Sequence, residues 1–217
     1  MRRIRLLAAI ALVLFGSSVS PWTPRGADAA DGRFRVCLDP GHGGTDSGAV
    51  RGALVEKELN LDIAQRVSAG LDASNYDVLL TRTDSITSLG NSERAQICNA
   101  FGAQLVLSIH LNASSDASVD YAWFFYGKRN KDLAFTATMD ANYQISLPDG
   151  SGTLPHKAIT NFANGTLLKS NAPATLAECL FMSNTQEQTL LAATDAGSRR
   201  QQIANELVKG LRAAAGR

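Results

Sequence analysis

Two of the three histidines follow apolar runs of the kind that form buried strands. His42 lies between glycines just after the run at residues 36–39, and His110 ends the run at residues 105–109. Glycine allows a tight turn and lets a ligand approach the backbone closely. A histidine in a β-turn can be incidental, but two imidazoles presented at strand ends favour a metal site.

Carboxylates in two other segments could complete such a site. Glu56 and Glu58 begin a predicted helix, where acidic residues also favour the helix dipole. From the residues alone, that simpler role suits both glutamates, and the choice between them stays open. Glu178 is less ordinary, because it lies between Leu176 and Leu180 in an apolar strand, where an acid is costly without a function.

Two imidazoles and one carboxylate form a known ligand set for catalytic zinc, with a fourth position left for water. Zinc lowers the pKa of that water from near 16 to about 7, which provides a nucleophile at neutral pH. A carboxylate that does not bind the metal can then take the proton of the water. Glu178 suits this role, although the scattered spacing of these residues is not specific by itself.

These side chains must be positioned by alternating strands and helices. The pattern predicts strands at residues 34–39, 76–81, 105–110, 121–126 and 174–180, and helices at 56–71, 92–101, 131–143 and 197–214. Residues 40–55 and 146–157 read as loops, and 161–169 is ambiguous, with a strand interrupted at Asn164 as one interpretation. This order predicts a single α/β domain with a largely parallel sheet, whose ligands collect at the carboxyl ends of the strands.

The first 29 residues have the pattern of a secretory signal. A basic start at residues 1–5 precedes an apolar stretch at 6–15 that is too short to span a bilayer, and Ala27-Asp28-Ala29 fits a cleavage site. We therefore expect a signal at 1–29 and a domain at 30–217, exported to the periplasm or the cell exterior without stable membrane insertion after processing. A retained N-terminal anchor is the less favoured alternative.

Charge and patterning also limit the partners. Removal of residues 1–29 takes away four arginines and one aspartate, which changes the formal net charge from +1 to −2. Such a chain is no polycation, so nucleic acid is not an expected partner. No heptad pattern suggests obligate assembly, and a monomer is expected.

The three cysteines, Cys37, Cys98 and Cys179, permit at most one internal disulfide. Cys37 and Cys179 lie in apolar strands, so buried thiols are the first expectation. A Cys37–Cys179 disulfide is possible if those strands are neighbours. A nucleophilic cysteine is the least favoured interpretation, because no histidine or asparagine is placed to support it.

Several stretches together resemble the zinc-dependent N-acetylmuramoyl-L-alanine amidases of the type 3 family, which cleave bacterial peptidoglycan. They occur in the family's order and cover nearly all of residues 34–214. The stretches are Leu38-Asp39-Pro40-Gly41-His42-Gly43-Gly44, Glu56-Lys57-Glu58-Leu59-Asn60-Leu61, Thr81-Arg82 with Glu93-Arg94, Ser108-Ile109-His110-Leu111-Asn112-Ala113 and Ala177-Glu178-Cys179-Leu180-Phe181-Met182-Ser183-Asn184.

The resemblance implies a six-stranded sheet flanked by helices, one Zn²⁺ held by His42, Glu56 and His110, and Glu178 as the catalytic glutamate. It selects Glu56 over Glu58 as the ligand. It also makes Asn112 a candidate substrate contact, for which a structural hydrogen bond is the simpler role.

Further expectations concern the fold and its regulation. Arg82 and Arg94 match family arginines that are expected to brace the fold. Residues 127–157 match the family poorly. The segment between Tyr126 and Pro173 is too short and polar to add a helix that plugs the metal site, so unregulated activity is expected.

The implied reaction is hydrolysis of the amide between the lactyl group of N-acetylmuramic acid and L-alanine. A zinc peptidase that cuts within the stem peptide and a non-catalytic wall-binding domain remain the alternatives. The complete set of His42, Glu56, His110 and Glu178 argues against the binding domain, because degenerate members typically lack one of the four.

Overall fold

The computed structural model describes residues 32–217, so the predicted signal at 1–29 and the start of the domain at residue 30 lie outside the described part of the chain. Strands and helices alternate along it. The strands are β1 (Phe34–Pro40), β2 (Val50–Arg51), β3 (Leu54–Val55), β4 (Tyr76–Leu80), β5 (Leu105–Asn112), β6 (Ala122–Tyr126), β7 (His156–Asn161) and β8 (Ala174–Phe181). The helices are α1 (Glu56–Gly70), α2 (Asn91–Phe101), α3 (Arg129–Asn142), α4 (Gly165–Lys169), α5 (Thr185–Ala192) and α6 (Arg199–Ala215).

Six strands form the central sheet in the order β4-β1-β5-β8-β6-β7. All neighbouring strands are parallel except β6 and β8, which are antiparallel. The predicted α/β domain with a mostly parallel, six-stranded sheet is therefore confirmed. The short strands β2 and β3 form a separate hairpin within the predicted glycine-rich loop.

Alternate residues of each strand point to opposite faces of the sheet, and the two faces carry different layers. On one face, Val36, Leu38 and Ile109 join the large apolar core with residues from α1, α3 and α6. On the other face, Cys37, Val106 and Leu176 form a smaller cluster beneath α2 and α4. Within residues 32–217, no helix combines the length and apolar character needed to cross a membrane.

The structure corrects the interpretation of residues 156–169. Strand β7 begins at His156, inside the predicted loop, and the segment after it is the short helix α4 rather than an interrupted strand. The side chain of Asn164 caps α4 by accepting hydrogen bonds from the backbone amides of Thr166 and Leu167. Helix α5, which was not predicted, is capped by Asn184 in the same way.

The expectation of a buried thiol is confirmed for Cys179 and wrong for Cys37. Cys37 on β1 forms a disulfide with Cys98 on α2, and only Cys179 is a buried free thiol within the described chain. A Cys37–Cys179 bond is excluded by the topology, because β5 lies between β1 and β8 and the two side chains point to opposite faces. Cys37 faces Cys98 on α2, and the apolar pattern of a strand does not predict which helix lies over it.

Candidate active site

The residues proposed for chemistry meet at the carboxyl ends of β1 and β5. His42 Nε2 lies 3.1 Å and His110 Nδ1 lies 3.2 Å from Oε1 of Glu56. One ligand atom from each of the three residues lies within 4.8 Å of the others, a grouping that could hold a metal ion. The structure thus brings together His42, Glu56 and His110, as the resemblance implies.

Glycines allow the two histidines to come this close. A Cβ atom at Gly41 would lie 2.1 Å from the His110 ring, and one at Gly48 would lie 2.6 Å from both His42 and Glu56. His42 itself has a φ of +60°, a left-handed conformation that non-glycine residues adopt at a cost. The imidazole of His42 is therefore presented by a loop that only a few residue types can form.

Two arginines hold that loop in place. Arg94 donates hydrogen bonds to the carbonyl oxygens of Pro40 and His42, and forms a buried ion pair with Asp39 at 2.8 Å. Arg82 donates to the carbonyls of Pro40 and Gly41. These contacts fix the backbone around the strained residue, so both arginines brace the fold, as predicted.

Asp46, which was not predicted as a site residue, orients His42 from the far side of the ring. Its Oδ2 lies 2.8 Å from His42 Nδ1, and its Oδ1 accepts a hydrogen bond from the amide of Gly48. A carboxylate on the second ring nitrogen is the usual way in which proteins orient a metal-binding histidine. Its position four residues after His42, in the same glycine-rich loop, was the available signal.

The structure also discriminates between the two glutamates of α1. Glu56 is buried, and its Oε2 accepts a hydrogen bond from the amide of Ala49 while Oε1 faces the histidines. The exposed Glu58 instead accepts a hydrogen bond from the hydroxyl of Ser85. Glu56 alone of the pair can take part in a metal site with His42 and His110.

The electrostatics couple these three groups. Burial disfavours charge on His42, but hydrogen bonds and charges from Glu56 and Asp46 outweigh it and raise the pKa of His42 to about 9. Burial raises the pKa of Glu56, yet hydrogen bonds from His110 and His42 bring it well below its ordinary value. Glu56 is therefore a carboxylate that faces two histidine nitrogens. Two histidines and one carboxylate are the ligands of many catalytic zinc sites.

Glu178 lies beside this cluster but is not part of it. On β8 it is the register partner of His110 on β5, so the two side chains share one face of the sheet. Its Oε2 is buried without a hydrogen-bond partner among the described residues. Burial raises the pKa of Glu178 to about 7, against the lowering effect of His110. A carboxyl group of this kind is poised to exchange a proton near neutral pH.

These groups line one open cavity of about 380 Å³. Asn112 lies on its wall, and its side-chain oxygen accepts a hydrogen bond from the amide of Ala113, which fits the simpler structural role considered for it. Phe162 and Asn164, which were not predicted as site residues, line the side toward β7. The arrangement offers a cluster that could hold a metal ion and a carboxyl group that could accept a proton, both at one open cavity.

Known proteins are similar to this chain in sequence and fold. Residues 36–213 match the family described as N-acetylmuramoyl-L-alanine amidase. The chain is 34% identical to the amidase LytC of Bacillus subtilis over 157 residues, 72% of this chain and 31% of that protein. It is 32% identical to the germination-specific N-acetylmuramoyl-L-alanine amidase of the same organism, over 81% of this chain and 77% of that one.

A solved structure agrees with these sequence matches. The amidase AmiC2 of Nostoc punctiforme superimposes with a TM-score of 0.73 at 26% identity, covering 85% of this chain and 98% of that one. The present chain thus spans about a third of the length of LytC, but nearly all of the AmiC2 domain.

Proposed function

The chain belongs to the N-acetylmuramoyl-L-alanine amidase family, and from this premise we propose that it hydrolyses the amide between the lactyl group of N-acetylmuramic acid and L-alanine in peptidoglycan. The observation that carries the proposal is the convergence of His42, Glu56 and His110 with Glu178 at one cavity. The four side chains come from three strand ends and one helix start that are far apart in sequence.

The donor set fits one Zn²⁺. Two imidazole nitrogens and one carboxylate oxygen converge, Asp46 orients one imidazole, and an unpartnered carboxylate oxygen of Glu178 lies alongside. When bound by His42, Glu56 and His110, zinc would act as a Lewis acid toward the amide carbonyl and a water molecule. Because Glu56 contacts both histidines, Glu178 is the carboxyl group that is available for proton transfer.

Glu178 then acts twice. It accepts one proton from the attacking water as the water oxygen bonds to the lactyl carbonyl carbon. It returns that proton to the nitrogen of L-alanine as the carbon–nitrogen bond breaks. The products are a free lactyl carboxyl group on the sugar and a peptide with a free L-alanine amine, so atoms and charge balance.

Asn112 completes the proposed site as a substrate contact. It lies on the cavity wall two residues after His110, and its side-chain oxygen already accepts a hydrogen bond from the amide of Ala113. Its side-chain amide nitrogen is the group that can donate to a substrate carbonyl.

We expect the active form to be an exported monomer that needs no activator. The segment between Tyr126 and Pro173 forms α3, β7 and α4, and α3 packs on the sheet face opposite Glu178. Helix α4 packs against α2 and β8, and the cavity at His42 stays open. Activity that rises sharply when this segment is trimmed by a protease would contradict unregulated activity.

Mass spectrometry of purified peptidoglycan digested with the exported form of the protein tests the proposal. We expect release of peptides with a free L-alanine amine from intact glycan, loss of this release with a chelator, and recovery with added zinc. Fragments cut within the peptide would keep the metal site but indicate a peptidase. No release by folded, zinc-loaded protein would indicate a wall-binding role or a missing activator.

A further inference from the structure

A row of aromatic side chains on and beside strand β6 is accessible on the face of the sheet that carries Glu178. The rings of Trp123 and Phe125 are 4.5 Å apart, Tyr121 lies 6.3 Å from Trp123, and Phe162 lies 5.4 Å from Phe125. We call these four residues the aromatic face. None of the four is fully buried, and Phe162 is 46% exposed. A contiguous, partly exposed aromatic surface of this kind is typical of a binding site rather than a core.

This face is continuous with the candidate active site. In strand register, His110 is paired with Glu178, Glu178 with Trp123, and Trp123 with Lys157. The four residues therefore form a straight row across β5, β8, β6 and β7. A substrate that crosses the strands at Glu178 passes next over Trp123 and then over Lys157.

The end of the row is a cation without an anionic partner. The Lys157 ammonium lies 4.1 Å from the centre of the Trp123 ring and 5.3 Å from that of Tyr121. Within residues 32–217, no carboxylate is within ion-pair distance of it. The Trp123 indole N–H is already used, since it donates to Ala158 O and Thr160 Oγ1. Trp123 and Lys157 thus offer a ligand a positive charge held against an aromatic ring.

We infer that Trp123 and Lys157 bind the peptide side of the substrate, with Lys157 pairing with a carboxylate of that peptide. This inference rests on the proposed amidase function. Neighbouring strands are about 4.8 Å apart, so the β7 position of Lys157 is roughly 10 Å from the β8 position of Glu178. The Lys157 side chain folds back over Trp123 on the intervening strand, so a carboxylate within about three residues of the cleaved bond can reach its ammonium.

Charge is the reason for choosing the peptide over the glycan. A chain of N-acetylated sugars could stack on the aromatic face, but it offers no anion to Lys157. A peptide with free carboxylates uses both features, with its aliphatic portions on Trp123 and its anion on the ammonium. The site thereby selects substrates by the charge of the peptide rather than by the sugar.

Steady-state kinetics with two soluble substrates test this assignment. The first is an N-acetylmuramoyl tripeptide that begins with L-alanine and has free carboxylates, and the second is the same compound with each carboxylate converted to a carboxamide. We expect Lys157→Met to raise KM for the acid about 3- to 10-fold, with kcat within twofold. KM for the amide should stay the same, and Lys157→Arg should restore most of the binding.

Lys209→Met is the matched control, because it removes the same charge from an exposed position on α6, in the layer on the other face of the sheet. Equal effects of Lys157→Met on both substrates, or none on either, would overturn the inference while leaving the amidase function intact. A loss that grows with glycan length and ignores peptide charge would assign the face to the glycan. A wild-type protein inactive on both substrates and on peptidoglycan would instead remove the amidase function itself.

Discussion

On one face of the six-stranded sheet, Leu107 and Ile109 of β5 pack into an apolar core beneath α1, α3 and α6, whereas on the other face the same strand presents Ser108 and His110. Strand β8 divides in the same way, with Ala177 in the core and Glu178 in the cavity. The first, which we call the core face, contributes most of the apolar burial. The second, which we call the chemical face, holds the candidate active site. Because successive residues of a strand point to opposite faces, substitutions at neighbouring positions should affect different properties. Those on the core face should lower stability, and those on the chemical face should lower activity.

The largest expected effect is on the chemical face. Glu178→Gln removes the proton acceptor but keeps the shape of the side chain, so turnover should fall about 10³-fold or more. Because the burial of Glu178 already disfavours its charge, the amide should leave the melting temperature unchanged or raised. Turnover on peptidoglycan and thermal unfolding would be measured side by side. A near-normal rate would remove Glu178 from the mechanism.

The core face should give the reverse result. Leu107→Ala opens a cavity in a fully buried position and should lower the free energy of unfolding by about 3 kcal/mol. Because Leu107 points away from the cavity, kcat of the folded fraction should stay within about twofold. Denaturant unfolding combined with kinetics at low temperature checks this. A large fall in kcat of folded protein would show that the two faces are coupled.

A smaller effect is expected at Asp46, which acts on the chemical face only through His42. Asp46→Ala should weaken zinc affinity about 10- to 100-fold, because the imidazole loses the carboxylate that orients it. Competition with a chelating indicator measures the affinity directly. Asp72→Ala is the matched control, since Asp72 also accepts hydrogen bonds in a surface turn, at the loop before β4. Equal affinities for both variants would show that Asp46 does not tune the site.

The same division explains what the sequence could predict. Apolar runs identified β1, β4, β5 and β8, and helical periodicity identified α1, α3 and α6, because these elements supply the core face. Strand β7 was missed because it is an edge strand with polar residues, so its sequence has no buried side to reveal. Helices α4 and α5 are too short for periodicity, although the capping residues Asn164 and Asn184 were visible in the sequence.

Within the site, His42, His110 and Glu178 were visible because each interrupts or ends an apolar run. The preference for Glu56 over Glu58 came from family resemblance. The structure supplies the physical reason, because Glu56 faces the histidines whereas Glu58 contacts Ser85. The disulfide partner of Cys37 and the role of Asp46 depend on loop and helix placement. Alternation along strands carries no information about either.

The disulfide also changes the covalent topology of the molecule. Cys37 and Cys98, 61 positions apart, close a ring of chain that includes His42 and Glu56 but neither His110 nor Glu178. Ile86, which is 86% exposed, lies within this ring on a surface loop of the kind that proteases cut. One cut there would open the ring without separating the fragments, because the buried disulfide still joins them. The nicked protein would remain one molecule, with His42, Glu56 and His110 still attached to it.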